Sequence, residues 1–229
     1  EDTVGINSLA TVVGHDNIVW ATGSKYFVDT FDFYNVEEED IEYFQSFDAG
    51  NTWTTGTIPS SANMYVNNIC GVSDQKAWVN GVDFDAQSKI FITTDGGTTW
   101  LPTMTDKYIM PTSYLNGLVF IDSLTGLSFG DPAVSDDDST YYFEVYRTID
   151  GGNNWNRIPS ANIPVPLQDE YGVATYFSFL NNDIWFSTVI SNNVEYRDFR
   201  SFHSSDRGLT WTAEITDASY VSFVDTEHG

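Results

Sequence analysis

An eight-residue pattern, Ser/Thr-x-Asp-x-Gly-x-Thr/Asn-Trp, occurs four times and fixes the layout of the whole chain. The copies occupy 46–53, 93–100, 148–155 and 204–211, so the aspartates fall at 48, 95, 150 and 206, at intervals of 47, 55 and 56 residues. A fixed period of this size is the signature of a repeat architecture. The chemistry of the pattern is that of a hairpin tip. The carboxylate folds back onto backbone N–H groups, the glycine takes a positive φ at low steric cost, and the tryptophan is a large apolar anchor. Asp48, Gly50, Trp53, Asp95, Gly97, Trp100, Asp150, Gly152, Trp155, Asp206, Gly208 and Trp211 therefore read as fasteners of backbone geometry, not as catalytic groups.

Between the turns the sequence offers short runs dense in Val, Ile, Phe, Tyr and Trp, with no helical period. Aligned on the turns, each repeat holds four strands, A to D from the centre outward. The expected strands are 6–13, 17–23, 42–47 and 52–58; 68–73, 76–82, 89–94 and 99–103; 115–122, 126–130, 141–149 and 154–158; and 173–180, 183–190, 195–204 and 210–215. Four antiparallel strands closed by a C–D hairpin make a propeller blade, so the predicted fold is an all-β propeller. The blades run approximately 1–60, 61–106, 107–160 and 161–217 of one domain. Residues 220–229 align with the end of strand A and its turn in the third repeat, the start of a fifth blade, and a parent of six to eight blades is the expectation.

These turns resemble the Asp-box, or BNR repeat, of sialidase-like β-propellers, over four copies and nearly the whole chain. The resemblance implies the fold. Function is another matter, because one fold hosts many activities.

Composition narrows the function classes. The chain has 229 residues, 33 acids against 9 bases and a net charge of −24. A nucleic-acid surface needs clustered Lys and Arg, and an anionic membrane repels such a chain, so neither partner is expected. No apolar run approaches the ~18 residues of a membrane span. Cys70 is the one cysteine, so no intrachain disulfide forms. Glu1-Asp2 does not open a signal peptide, and the chain reads as mature or trimmed.

The blade layout puts the A–B and Asp turns at one end and the longer B–C and D–A loops at the other. Function concentrates on long loops held by a rigid scaffold. Candidate binding residues at that end are Tyr65, Lys107, Tyr108, Tyr114, Asp131, Glu170 and Tyr171. Asp131, in Gly130-Asp131-Pro132, and Glu170, beside Tyr171 in a D–A loop, are the carboxylates that could serve a glycosidase, which needs two placed about 5–9.5 Å apart. Tyr171 joins them as a catalytic candidate. The bland alternative is that Asp131 shapes a turn and Glu170 is solvated. The acidic runs 37–40 and Asp136, Asp137 and Asp138 could bind calcium through oxygen ligands, although they lack the EF-hand spacing; no other cofactor is expected. His15, His203 and His228 are scattered without zinc-site spacing.

Sialidase-type catalysis implies three arginines on the substrate carboxylate. Of Arg147, Arg157, Arg197, Arg200 and Arg207, none precedes residue 147, Arg207 lies inside a turn, and Arg147, Arg197 and Arg200 fall on C strands. Arg157-Ile158-Pro159 copies the sialidase tripeptide but follows a turn on an outer strand. These residues argue against a sialidase.

The stretches 5–9, 19–23, 126–132 (Gly-Leu-Ser-Phe-Gly-Asp-Pro) and 160–167 resemble secreted propellers of the Bacteroidetes. That resemblance implies export by the type IX secretion system through a C-terminal sorting domain, and an extracellular or outer-surface location with a secretion-machinery contact. The resulting expectation is a secreted, non-catalytic propeller that binds a glycan or a cell-surface protein, in adhesion or surface assembly. The alternative is a glycoside hydrolase with its carboxylates in the central funnel.

Overall fold

Among the described residues the alternating apolar runs form sixteen strands, and the turns between them take the geometry that their Asp and Gly residues demand. The computed structural model describes residues 3–12, 15–26, 41–58, 64–83, 87–104, 114–134, 141–191 and 198–217. The strands are β1 (Thr3–Val12), β2 (His15–Tyr26), β3 (Ile41–Ser46), β4 (Thr54–Ile58), β5 (Met64–Gly71), β6 (Ala77–Asp83), β7 (Ser88–Thr93) and β8 (Leu101–Met104). They continue with β9 (Leu115–Phe120), β10 (Gly126–Val134), β11 (Tyr141–Thr148), β12 (Asn156–Arg157), β13 (Glu170–Leu180), β14 (Asp183–Ile190), β15 (Asp198–Ser204) and β16 (Thr212–Thr216). They form four four-stranded sheets in sequence order, β1–β4, β5–β8, β9–β12 and β13–β16. Every pairing is antiparallel. Each sheet is a propeller blade. A 3-10 turn at Ser160–Asn162 is the one helical element among the described residues, and none of those residues forms a helix long and apolar enough to cross a membrane.

The chain divides into two compact units, Glu1–Lys107 with the first two blades and Tyr108–Gly229 with the last two. In the first unit Trp20, Ile58, Ile69, Ala77, Val79, Phe91 and Trp100 form a buried core, with the Trp20 and Trp100 rings 6.3 Å apart and edge-to-face. The second unit buries Val119, Leu127, Phe129, Phe143, Phe186, Phe202 and Trp211, and Phe186 stacks on Phe202 at 4.5 Å. Each buried Val, Leu, Ile or Phe among them contributes about 1.5–3 kcal/mol on leaving water.

All four Asp turns are built alike. One carboxylate oxygen of Asp48 accepts the Thr52 N–H at 2.8 Å and the other accepts the Thr52 hydroxyl at 2.7 Å. Asp95 and Asp206 repeat this with Thr99 and Thr210, and Asp150 does so with the backbone and side-chain amides of Asn154. The residue two before each aspartate donates its hydroxyl to it and accepts the glycine N–H, as Ser46 does from Gly50 at 2.8 Å. Each turn also bonds to the A–B turn of its own blade: Ala49 N–H to Asn17, Gly96 to Gln75, Gly151 to Leu124 and Arg207 to Asn182. Asp turns and A–B turns therefore share one end of each blade, as the repeat layout requires.

Only β14 keeps its expected bounds; the other strands shift by one to four residues at an end, β5 starting at Met64 instead of 68 and β10 running on to Val134 instead of 130, and two further shifts bear on the site. The outer strand of the third blade is only Asn156–Arg157, because Asn154 is taken up by Asp150 and Trp155 is buried as an anchor. The inner strand of the fourth blade starts at Glu170, not at 173. A charged residue is tolerated there because its carboxylate has partners, described next.

Candidate functional site

The ends of strands β9, β10 and β13 away from the Asp turns bring together Tyr114, Asn116, Asp131, Glu170 and Tyr171. Strand β10 is irregular at Phe129–Pro132, where Pro132 has no N–H for the ladder. The Asp131 N–H instead reaches the Tyr114 carbonyl at 2.8 Å. The Asp131 side chain then spans two blades: Oδ1 accepts from Asn116 Nδ2 at 2.7 Å and from the Gly172 N–H at 2.8 Å. A Cβ at residue 172 would lie 2.3 Å from Asn116 Nδ2, so glycine is needed for this close approach. Burial pushes the Asp131 carboxyl above its ordinary pKa, against the opposing pull of the Asn116 and Gly172 donors.

Glu170 is neither solvated nor in a loop. It lies in β13 with its side chain fully buried, and its Oε2 is 3.1 Å from Arg200 Nη1. Thr188 donates its hydroxyl to Oε1, and the Leu167 N–H donates to Oε2 at 2.7 Å. Arg200 also reaches the Val165 carbonyl at 3.0 Å. The group is a clasp that ties the 163–170 connection to strands β14 and β15. Both Glu170 oxygens are thus engaged within the fold, whereas Asp131 has its own, separate partners in Asn116 and Gly172. Thr188 and Asn116 carry no sequence signal for these roles, and Arg200, placed on a C strand from the sequence and set aside for sialidase chemistry, turns out to serve Glu170.

Tyr171, next to Glu170 in the strand, points away from the clasp and is 49 % exposed; Tyr114 is half-buried. The cavity beside Asp131, lined by Asn116, Gly130, Gly172 and Ser187 among others, is only about 10 Å³, too small for a sugar ring. Tyr65 lies on β5 opposite Val82 in the first unit. Lys107, Tyr108, Asp136, Asp137, Asp138, the run 37–40 and the fifth-repeat residues 220–229 lie outside the described residues. The described arginines have local tasks. Arg147 Nε donates to the Arg207 carbonyl at 3.0 Å, Arg207 pairs with Asp122, and Arg157 lies 4.4 Å over the Tyr142 ring.

No family model matches the chain, and no curated protein matches it in sequence. Solved structures do match in shape. A protein of unknown function from Dyadobacter fermentans superposes with a TM-score of 0.61 at 14 % identity, over 93 % of this chain and 69 % of that one. A GH93 α-L-arabinofuranosidase of Fusarium graminearum, solved with arabinobiose, gives 0.59 at 11 % identity, over 92 % and 66 %. An ancestral GH74 enzyme gives 0.53 at 17 % identity, over 92 % and 27 %. The chain thus spans about two thirds of the length of the first two and about a quarter of the third. At these identities the likeness carries the fold and nothing finer: the chain is a β-propeller of four-stranded antiparallel blades.

Proposed function

We propose that this chain belongs to a secreted or cell-surface propeller of the Asp-box type that binds a glycan or a protein without chemically altering it, through the blade ends opposite the Asp turns. The observation that carries this reading is the clasp on Glu170. With both its oxygens held by Arg200, Thr188 and the Leu167 N–H, the acid best placed to work with Asp131 is used to hold the scaffold. What remains open next to it in the strand is the exposed ring of Tyr171, suited to stacking on a sugar face or packing on a partner side chain. Export by a Bacteroidetes-type route and an adhesive or surface-assembly role follow from the sequence resemblance and are part of the same proposal.

The second reading, a glycoside hydrolase, draws on one observation: Asp131 has a raised pKa, as a general acid requires. Glycan-array binding and hydrolysis assays on the wild type, Tyr171→Ala and Asp131→Asn separate the two. The binding reading expects no turnover and a loss of binding of at least tenfold in Tyr171→Ala. Turnover that disappears in Asp131→Asn would replace it with the hydrolase.

A further inference from the structure

The register of strand B places one equivalent residue in every blade. Val19, Ala77, Gly126 and Ile184 pair with Ser46, Thr93, Thr148 and Ser204, the hydroxyl residues that open the Asp turns. Three places further along the strand stand Thr22, Asn80, Phe129 and Ser187. All four are buried: Thr22 and Asn80 are 0 % exposed, Ser187 2 % and Phe129 4 %. Phe129 alone is apolar. The strand A partners divide in the same way, for Thr22 stands opposite Ser8 and Asn80 opposite Asn68, whereas Phe129 stands opposite Gly117.

In the third blade the position is filled by carbon. The Phe129 ring packs on Phe186 and Phe177 of the fourth blade, with centroids 4.9 and 6.4 Å away, and Gly117 leaves that ring its space, since a Cβ there would lie 3.3 Å from Phe177. In the first blade the same face is polar. Ser8 accepts the Ile69 N–H of the second blade at 3.1 Å, and Thr22, directly opposite Ser8, shares its side of the sheet. Yet Thr22 Oγ1 has no hydrogen-bond partner among the described residues, and neither have Asn80 Nδ2 and Oδ1 or Ser187 Oγ. One such atom is a local defect. The same defect at one register position of three blades is a pattern, and buried polar groups in native folds are satisfied by protein or by bound water.

We propose that Thr22, Asn80 and Ser187 each bind an internal water molecule, and that this repeated position of strand B is a hydration site which the third blade replaces with Phe129. The chemistry selects water over an ion. The three side chains are neutral, and the hydroxyls and the amide each offer a donor and an acceptor. A molecule that both donates and accepts satisfies them, whereas a cation leaves the Asn80 Nδ2 donors unmet and an anion leaves its Oδ1 unmet. Room exists at Ser187, which lines the cavity of about 10 Å³, the smallest space that takes one water. Such a water takes up the hydrogen-bonding capacity that a partnerless amide or hydroxyl would otherwise lose on burial.

A high-resolution crystal structure of the chain tests this. The expected result is a single-oxygen density peak at about 2.7–3.2 Å from Thr22 Oγ1, from the Asn80 amide and from Ser187 Oγ, with none against the Phe129 ring. A protein atom bonded to any of the three side chains in place of that peak, or a missing peak at any of them, overturns the proposal. Oxygen-17 magnetic relaxation dispersion of the solvent reads the same sites in solution by counting long-lived internal waters. Thr22→Val, Asn80→Leu and Ser187→Ala, each checked for a native circular dichroism spectrum, should each lose at least one water from the wild-type count. An unchanged count in any folded variant overturns the proposal, and a variant that does not fold leaves the crystal structure of the wild type to decide.

Discussion

Taking a carboxylate out of water costs several kcal/mol unless partners replace its hydration, and Glu170 and Asp131 meet that demand differently. Glu170 is paired with a cation and saturated with donors, whereas Asp131 relies on two neutral N–H groups and responds with a raised pKa. The difference predicts different sensitivities. Arg200→Leu leaves a buried charge without its counter-ion and should lower unfolding stability by about 3–5 kcal/mol. Glu170→Gln keeps one oxygen for the Leu167 N–H and Arg200 and can turn its amide N–H toward the Thr188 hydroxyl as acceptor, and should cost clearly less. Urea unfolding of the two variants decides; equal losses would mean that the ion pair contributes little beyond its hydrogen bonds. None of this was legible in the sequence. Glu170 and Arg200 stand 30 residues apart, and they meet only because the register sets Thr188 opposite both Gly172 and Arg200. Composition and spacing carry no trace of such a three-strand relay, and a lone Glu beside a Tyr in a loop-like stretch reads as solvated.

At the scale of the element, the Asp turn was legible almost in full because its interactions span no more than four residues and each follows from side-chain type. The strands between turns were legible for the same reason. Their ends were read less well where a side chain's long-range partner, as at Glu170, extends a strand. The turn also exposes a weak point. The residue after each aspartate adopts a left-handed conformation: Gly96 and Gly151 have φ of 69° and 73°, but the same position holds Ala49 at 58° and Arg207 at 61°. A residue with a Cβ pays roughly 1–2 kcal/mol there, partly offset by the entropy that glycine loses on folding. Ala49→Gly should therefore raise stability by about 1 kcal/mol, read as a rise in the denaturation midpoint at constant m. Asn162 holds the fourth turn from outside it, donating its side-chain amide to the Leu209 carbonyl and accepting the Trp211 N–H, and Arg207 also pairs with Asp122, so the equivalent gain at Arg207 would be confounded. Position 49 is the clean test. An unchanged or lower midpoint would show that the Ala49 N–H bond to Asn17 already compensates the strain.

Across the whole molecule, the ionisable groups impose two opposed pH dependences. The Asp48 and Asp95 carboxyls are held below the usual carboxylate range by the N–H and hydroxyl of Thr52 and Thr99. The Asp150 carboxyl is held down by the side chain and backbone of Asn154. Burial pushes Asp206 up, but the hydroxyl and N–H of Thr210 outweigh it. A carboxyl lowered by folding adds stability above its unfolded pKa, 3.8 here, and that stability is lost as pH falls through the lowered folded values. Asp131 acts with the other sign. Its folded pKa is raised, so the unfolded chain ionises first, and stability declines as pH rises from 3.8 through the raised value. The self-repulsion of a chain with 33 acids and 9 bases adds to that decline as carboxylates ionise. The melting temperature should therefore climb on going from neutral to mildly acid pH and then collapse below 3.8, as all four turns lose their carboxylates together. Thermal melts across this range in wild type and Asp131→Asn divide the two limbs. The substitution should reduce the gain on mild acidification and leave the acid collapse in place, because the collapse belongs to the repeated turn and not to the site. A collapse that moved with Asp131 would instead make the inner-edge contact, not the four fasteners, the first part of the molecule to fail.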